Sequence, residues 1–191
     1  MKLAIYGYGG HAREVAAQLG ESVTYFVDKE YSTNIARPID QFDPSKYKII
    51  VAVADSQVRS NIIQRLPIET EYFTFIHHTA ILMDTNIKIG EGSFIGAYSI
   101  LTTNVIIGNH AILNRANHIG HDTNIGNYFS AMPGAIVSGN VTIHDCVYLG
   151  TNASVREKVE ICSDVTLGVN SGVVKNITLP GIYVGTPSKR I

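Results

Sequence analysis

From Ile89 onward the chain repeats every six residues, and few folds accept so short a period over so long a stretch. Large aliphatic residues recur at Ile89, Ile95, Leu101, Ile107, Leu113 and Ile119, and the count runs in register to Val173. Fourteen of these fifteen positions are aliphatic, Ala131 being the exception. Two residues ahead of each stands a residue that is mostly small or β-branched, such as Ser93, Ser99, Val105 and Ala111. Glycine often follows the aliphatic position, at Gly90, Gly96, Gly108, Gly120, Gly126, Gly150 and Gly168. An antiparallel barrel would need alternation at period two and irregular turns. A period of six suits a triangular coil, with the large residue turned inwards and glycine relaxing the backbone at each corner. Three units make one coil, so fifteen units make five coils about 4.8 Å apart, a prism roughly 24 Å tall. Burial of one aliphatic row does not offset the entropy of ordering so long a coil. The flat faces are therefore expected to pack on other surfaces, other copies of the chain among them.

The residues ahead of the repeat follow another pattern. Between Lys2 and Ile76, apolar runs (LAIYG, VTYFVD, KIIVAVAD, EYFTFI) alternate with helix-like segments (HAREVAAQL, SQVRSNIIQRL), which is βαβ order. Val15 and Leu19 share one helix face and Gly20 supplies a stop. The expected organisation is a small Rossmann-like α/β domain of three or four parallel strands over residues 1–76. An all-β prism over 77–180 and a tail over 181–191 follow.

Gly7-Tyr8-Gly9-Gly10-His11-Ala12 follows the first strand and opens the first helix, an arrangement that catches anions through backbone N–H groups and the helix dipole. Asp28 ends the next strand, like the acidic ribose contact of a dinucleotide fold. The domain is too small for a full dinucleotide, so a nucleoside diphosphate fits better. Asp55, Gln57 and Arg59 are placed to complete that pocket, or Asp55 simply caps a helix beside solvated neighbours.

Fifteen basic against sixteen acidic residues leave a formal charge of −1, so no global field draws in nucleic acid or an anionic membrane, and neither is expected as a partner. No apolar run reaches the roughly 18 residues that cross a bilayer, and MKLAIYGYGG has no secretory core, so the expected location is the cytoplasm. Cys146 and Cys162 form no CxxC pair and are expected to be reduced and structural.

Taken together, GYGGHARE, the fifteen hexads, GHDTNIG and the terminal GTPSKRI resemble the hexapeptide-repeat sugar acyltransferases, of the sialic acid O-acetyltransferase and bacillosamine N-acetyltransferase kind. The resemblance implies a left-handed parallel β-helix and a homotrimer with active sites between subunits. It further implies acetyl-CoA as donor and a UDP-, dTDP- or GDP-linked sugar held by the small domain, with no metal required. The expected reaction is N-acylation of a 4-amino-4,6-dideoxy sugar for glycan biosynthesis. The alternative is O-acetylation of the sialic acid type.

The family's His–acid pair falls on His121 and Asp122. A carboxylate beside an imidazole fixes its tautomer and raises its basicity, as an acyl transfer base requires. Gly139 matches the glycine whose N–H faces the thioester carbonyl, and Asn114 matches a residue near the acceptor sugar. Each has a plainer reading, as a turn glycine and a corner asparagine of positive φ. Ser130 stands where many relatives have a second histidine facing the acyl group; a hydroxyl still donates but carries no charge, so acyl is firmer than acetyl. Coenzyme A is expected along the backbone near Gly150 and Gly168, with Lys189 or Arg190 at its phosphates unless that tail frays.

A γ-type carbonic anhydrase uses the same prism with zinc between subunits. Its histidine spacing of five is not matched by His118 and His121, and the nucleotide domain would have no role.

Overall fold

The computed structural model describes residues 1–191. Lys2–Tyr6 (β1) pairs in parallel with Thr24–Val27 (β2) on one side and Tyr47–Val51 (β4) on the other. Ala36–Pro38 (β3) and Glu71–Tyr72 (β5) close the edges, giving the order β3-β2-β1-β4-β5. The sheet thus has five strands, not three or four. The unforeseen β3 is three residues long and contains Pro38, which only an edge strand accepts. The run EYFTFI is also divided, because Phe75–Ile76 leaves the small sheet and forms the first rung of the prism.

Helix α1 (Gly10–Leu19) ends at Gly20, whose φ of 66° caps it in the left-handed region. It turns Ala12 and Val15 towards Ile5 and Ile50, and the same apolar layer takes in Phe94 and Ile112 of the prism. Helix α2 (Ser56–Arg65) begins at Asp55, whose side chain accepts the Val58 N–H. On the other sheet face Ile62 joins Phe26, Phe42 and Tyr47 in a second core. Since strand order reverses between β1 and β4, a crevice opens at their carboxyl ends, where ligands bind in open α/β sheets.

The rest of the chain is a triangular coil of short parallel rungs. The first face runs from Phe75–Ile76 through Ile112–Leu113 and Ser130–Ala131 to Val165–Leu167, and is extended by Gly181–Val184 and the antiparallel Lys189–Arg190. The second runs from Ile81–Leu82 through His118–Ile119 to Gly172–Val173, and the third from Lys88–Ile89 through Asn124–Ile125 to Glu160–Ile161. Partners lie one coil apart, as in Ile100↔His118, and the predicted aliphatic row forms the buried core with Val105, Ala111, Phe129 and their equivalents beside it.

The corners work differently from the expectation. The residues in the left-handed region are mostly not glycine: they recur every six, among them Asn104, His110, Asp122, Asn140 and Asn152. The repeat glycines have ordinary φ values and serve close stacking instead. A Cβ on Gly150, for example, would meet the Gly168 carbonyl carbon at 2.7 Å.

The small domain sits on the first face. Its deepest tie is Arg59, fully buried, which donates to the carbonyls of His110 (2.8 Å), Tyr128 (2.7 Å) and Phe129 (3.0 Å) in the prism and of Val53 and Ala54 after β4. Burial pushes its pKa down to about 10. No carboxylate pairs with it; peptide oxygens and the Ser130 hydroxyl satisfy the fork. Beside it His110 packs edge-on to Tyr72 and stacks on Tyr128 at 5.6 Å.

Candidate active site

His121 and Asp122 occupy the corner between the second and third faces, between the rungs His118–Ile119 and Asn124–Ile125. Asp122 holds φ at 56°, and its Oδ2 lies 2.8 Å from His121 Nδ1. The imidazole contact, and after it the amide of Asn104, keep this carboxyl below the ordinary carboxylate range. With Nδ1 as the N–H facing the carboxylate, Nε2 carries the lone pair, and it meets no hydrogen-bonding group within the chain. Gly139, one coil on at the same corner, lies under the ring: a Cβ there would stand 2.5 Å from Nε2. Its N–H is used by no hydrogen bond inside the chain.

In the small domain a cavity of about 400 Å³ fills the crevice at the ends of β1 and β4, lined by Tyr6, Gly7, Tyr8, Gly9, Asp28 and Val53 among others. Gly9 and Asp28 share one pocket, with Arg65 paired to Asp28 at 3.3 Å. Gly10 opens α1 with nothing within 4 Å of its missing side chain, so a ligand can approach its backbone. His11 turns away, packing edge-on to Phe94 at 5.9 Å; both its ring nitrogens are buried without a hydrogen bond, Glu14 standing 3.9 Å from Nδ1, and burial holds its pKa below the usual imidazole value.

Three further expectations, two about this pocket and one about the acyl group, are corrected. Arg59 is not available to phosphates, because it is spent on carbonyls under the domain. Asp55 caps α2 and faces a separate cleft with Cys146, Tyr148 and Asp164, into which Gln57 also reaches to bond Asp164. Gln57 is turned about 100° round α2 from Val58, which faces the crevice, whereas Asp55 precedes the helix in extended backbone and follows no helical face. Ser130 does not line an acyl pocket either. It points outwards on the first face, fully buried by the domain, donating to the Ala54 carbonyl at 2.6 Å and accepting from Arg59 at 2.9 Å.

Asn114 is buried, has no positive φ, and its Oδ1 accepts the Arg115 N–H at 2.8 Å. It lies between Ile112–Leu113 and His118–Ile119, the corner between the first and second faces, and Gly150 and Gly168 stack at that same corner. The chain thus separates Asn114 from its own His121 by the width of a face. Lys189 does not fray: it pairs with Val184 and, with Lys175, lines a cleft of about 340 Å³ at the prism's end. Cys146 and Cys162 are both free, and burial raises both thiol pKa values. No helix is long and apolar enough to cross a membrane. No three or more His, Cys, Asp or Glu side chains of one chain converge in a way that could hold a metal ion.

A Rossmann-like domain seated on a hexapeptide-repeat coil, with an imidazole–carboxylate pair on an open corner, defines the class as hexapeptide-repeat transferases. The model of the PglD N-terminal domain family matches residues 2–66. The acetyltransferase domain of PglB from Neisseria gonorrhoeae FA1090 superposes with a TM-score of 0.87 at 27% identity, covering 100% of this chain and 99% of that one. PerB from Caulobacter crescentus, solved with CoA and GDP-perosamine, shares the fold with a TM-score of 0.86 at 22% identity, covering 99% and 96%. A GDP-perosamine N-acetyltransferase of Escherichia coli O157:H7 is 30% identical over 110 residues, 57% of this chain and 49% of that protein. The chain spans about half the length of this curated relative. The chain is thus similar to the hexapeptide-repeat nucleotide-sugar acyltransferases, and its coil has the left-handed β-helix fold that these share.

Proposed function

We propose that this protein transfers an acyl group, most simply acetyl, from coenzyme A to the amine of a nucleotide-linked 4-amino-4,6-dideoxy sugar. The observation that carries the reading is the His121–Asp122 pair lying over Gly139 with Nε2 unengaged. In this reaction Nε2 takes a proton as the sugar nitrogen attacks the thioester carbonyl, and Asp122 stabilises the resulting imidazolium. The free N–H of Gly139 faces the developing oxyanion, with no help from Ser130. The proton then goes to the departing thiolate, so amide and free thiol are the products. The PglB domain has also been solved with acetyl coenzyme A, which supports the same donor here. The lysine-lined cleft of Lys175 and Lys189 suits its phosphates.

We further propose a homotrimer whose sites lie between subunits. Gln18 accepts the Ala97 N–H at 2.9 Å and Glu14 pairs with Arg115 at 3.4 Å, so α1 seats the nucleotide pocket by the corner that carries Asn114. A sugar held there is near a dyad only if a neighbouring copy brings its second-to-third-face corner alongside. Ile81 and Ile136, about half exposed on the second face, suit such packing.

The test is a panel of UDP-, dTDP- and GDP-linked 4-amino sugars with acetyl-CoA, read by mass. The expected result is a 4-N-acetyl product from one member. Transfer only to a sialic acid hydroxyl would replace this reading with O-acetylation.

A further inference from the structure

We infer that Asn104 is a positioning residue of the dyad, acting through Asp122; the inference rests on the reading of His121 as the base. Asn104 lies 18 residues before Asp122, at the same corner of the preceding coil, and both hold the left-handed backbone, with φ of 52° and 56°. Its Nδ2 donates to Asp122 Oδ1 at 3.0 Å, while Oδ2 meets His121 Nδ1 at 2.8 Å. Each carboxylate oxygen therefore has its own partner.

The arrangement matters because the dyad stands on an open corner, where an unrestrained carboxylate swings into water on the picosecond to nanosecond scale. Within the chain nothing but Asn104 and His121 meets the Asp122 oxygens. The backbone sets the spacing: the Asp122 N–H donates to the Thr103 carbonyl at 3.0 Å, and the Asn140 N–H to the His121 carbonyl at 2.7 Å. Asparagine meets both demands of position 104. It tolerates positive φ, and its amide donates without a charge that would draw Asp122 away from the imidazole. A lysine there would compete with His121 for the carboxylate, and an aspartate would repel it.

The test uses Asn104→Gly, which keeps the backbone geometry and removes the amide. Expected is a fall in kcat of about tenfold, KM for both substrates within about twofold, and an unchanged melting temperature. In the Asp122→Asn background the same substitution should change kcat by less than about twofold, because Asn104 works through that carboxylate. Nitrogen-15 shifts of the His121 ring supply a readout independent of turnover: the Nδ1–H tautomer should dominate in the parent and mix with the other in Asn104→Gly. Full kcat in the single variant, an equal loss in both backgrounds, or an unaltered tautomer each overturns the inference. Retained turnover in His121→Ala would instead sink the reading of His121 as the base.

Discussion

The His121 ring lies so close over Gly139 that any side chain there would meet it: a Cβ would sit 2.5 Å from Nε2, 2.7 Å from Cε1 and 2.8 Å from Cδ2. A Cβ does not come that close to atoms it is not bonded to, and the ring, being exposed, is the partner that would yield. Gly139→Ala is therefore expected to fold normally but to push the imidazole off its position. A loss of kcat of about a hundredfold or more, with melting temperature within a few degrees, is the expected outcome. Unchanged kcat would mean that the ring works from some other orientation.

Much of this corner is legible in the order of residues alone. The hexad count places His121 two residues after an inward aliphatic and Gly139 one coil further on, because partners in a regular coil are related by a fixed offset. That offset also points to Asn104, but only once Asp122 is treated as the member of a vertical column. Ser130 and Arg59 could not be placed in this way. Their roles depend on which prism face the small domain covers, a packing choice that lies outside the period of the repeat. Likewise, the repeat glycines invited a conformational reading, whereas their function is the absence of a Cβ between stacked coils.

Arg59 gives a prediction about stability. Its guanidinium satisfies carbonyls from both domains inside a buried interface, and an unpaired buried acceptor costs about 1 to 3 kcal/mol. Arg59→Ala strands several at once and should cost roughly 4 kcal/mol or more, read as a lower midpoint in urea. A loss below about 1 kcal/mol would mean that water takes over those carbonyls.

Stability should also fall on mild acidification. Burial, and after it the nearby Arg59 charge, lower the His110 pKa to about 4, against about 6.5 in an unfolded chain. Between those values the unfolded chain binds a proton that the folded one does not, so the contribution is complete above pH 6.5 and is lost as pH drops towards 4. Its size is on the order of 3 kcal/mol. His110→Asn, which tolerates the local φ of 57°, should flatten the dependence of melting temperature on pH over this window. An equally steep dependence in the variant would assign the effect to other groups.

Two glycines should respond oppositely. Gly150→Ala forces a methyl against the Gly168 and Leu167 backbone at 2.7 and 2.8 Å, neither of which can move without parting two coils. It should destabilise by about 2 kcal/mol or more. Gly10→Ala meets nothing within 4 Å and opens a helix, so stability should hold or rise by up to about 1 kcal/mol. If phosphates approach the Gly10 backbone, KM for the nucleotide sugar rises while KM for acetyl-CoA stays put; equal KM values in parent and variant would remove Gly10 from the pocket.

The division of the site between copies can be tested by mixing inactive parents. His121→Ala removes the base, and Asp28→Arg fills the nucleotide pocket; each alone should be inactive. If pocket and base come from the same chain, unfolding and refolding an equal mixture restores nothing, since every chain carries one defect. If they come from neighbouring chains, random assembly pairs an intact pocket with an intact base in about a quarter of sites. Recovery of about a quarter of parental kcat, absent when the separately refolded proteins are merely combined, is the expected result. Recovery near zero would return the reaction to a single chain, and Asn114 and His121 would then need some other route across the second face.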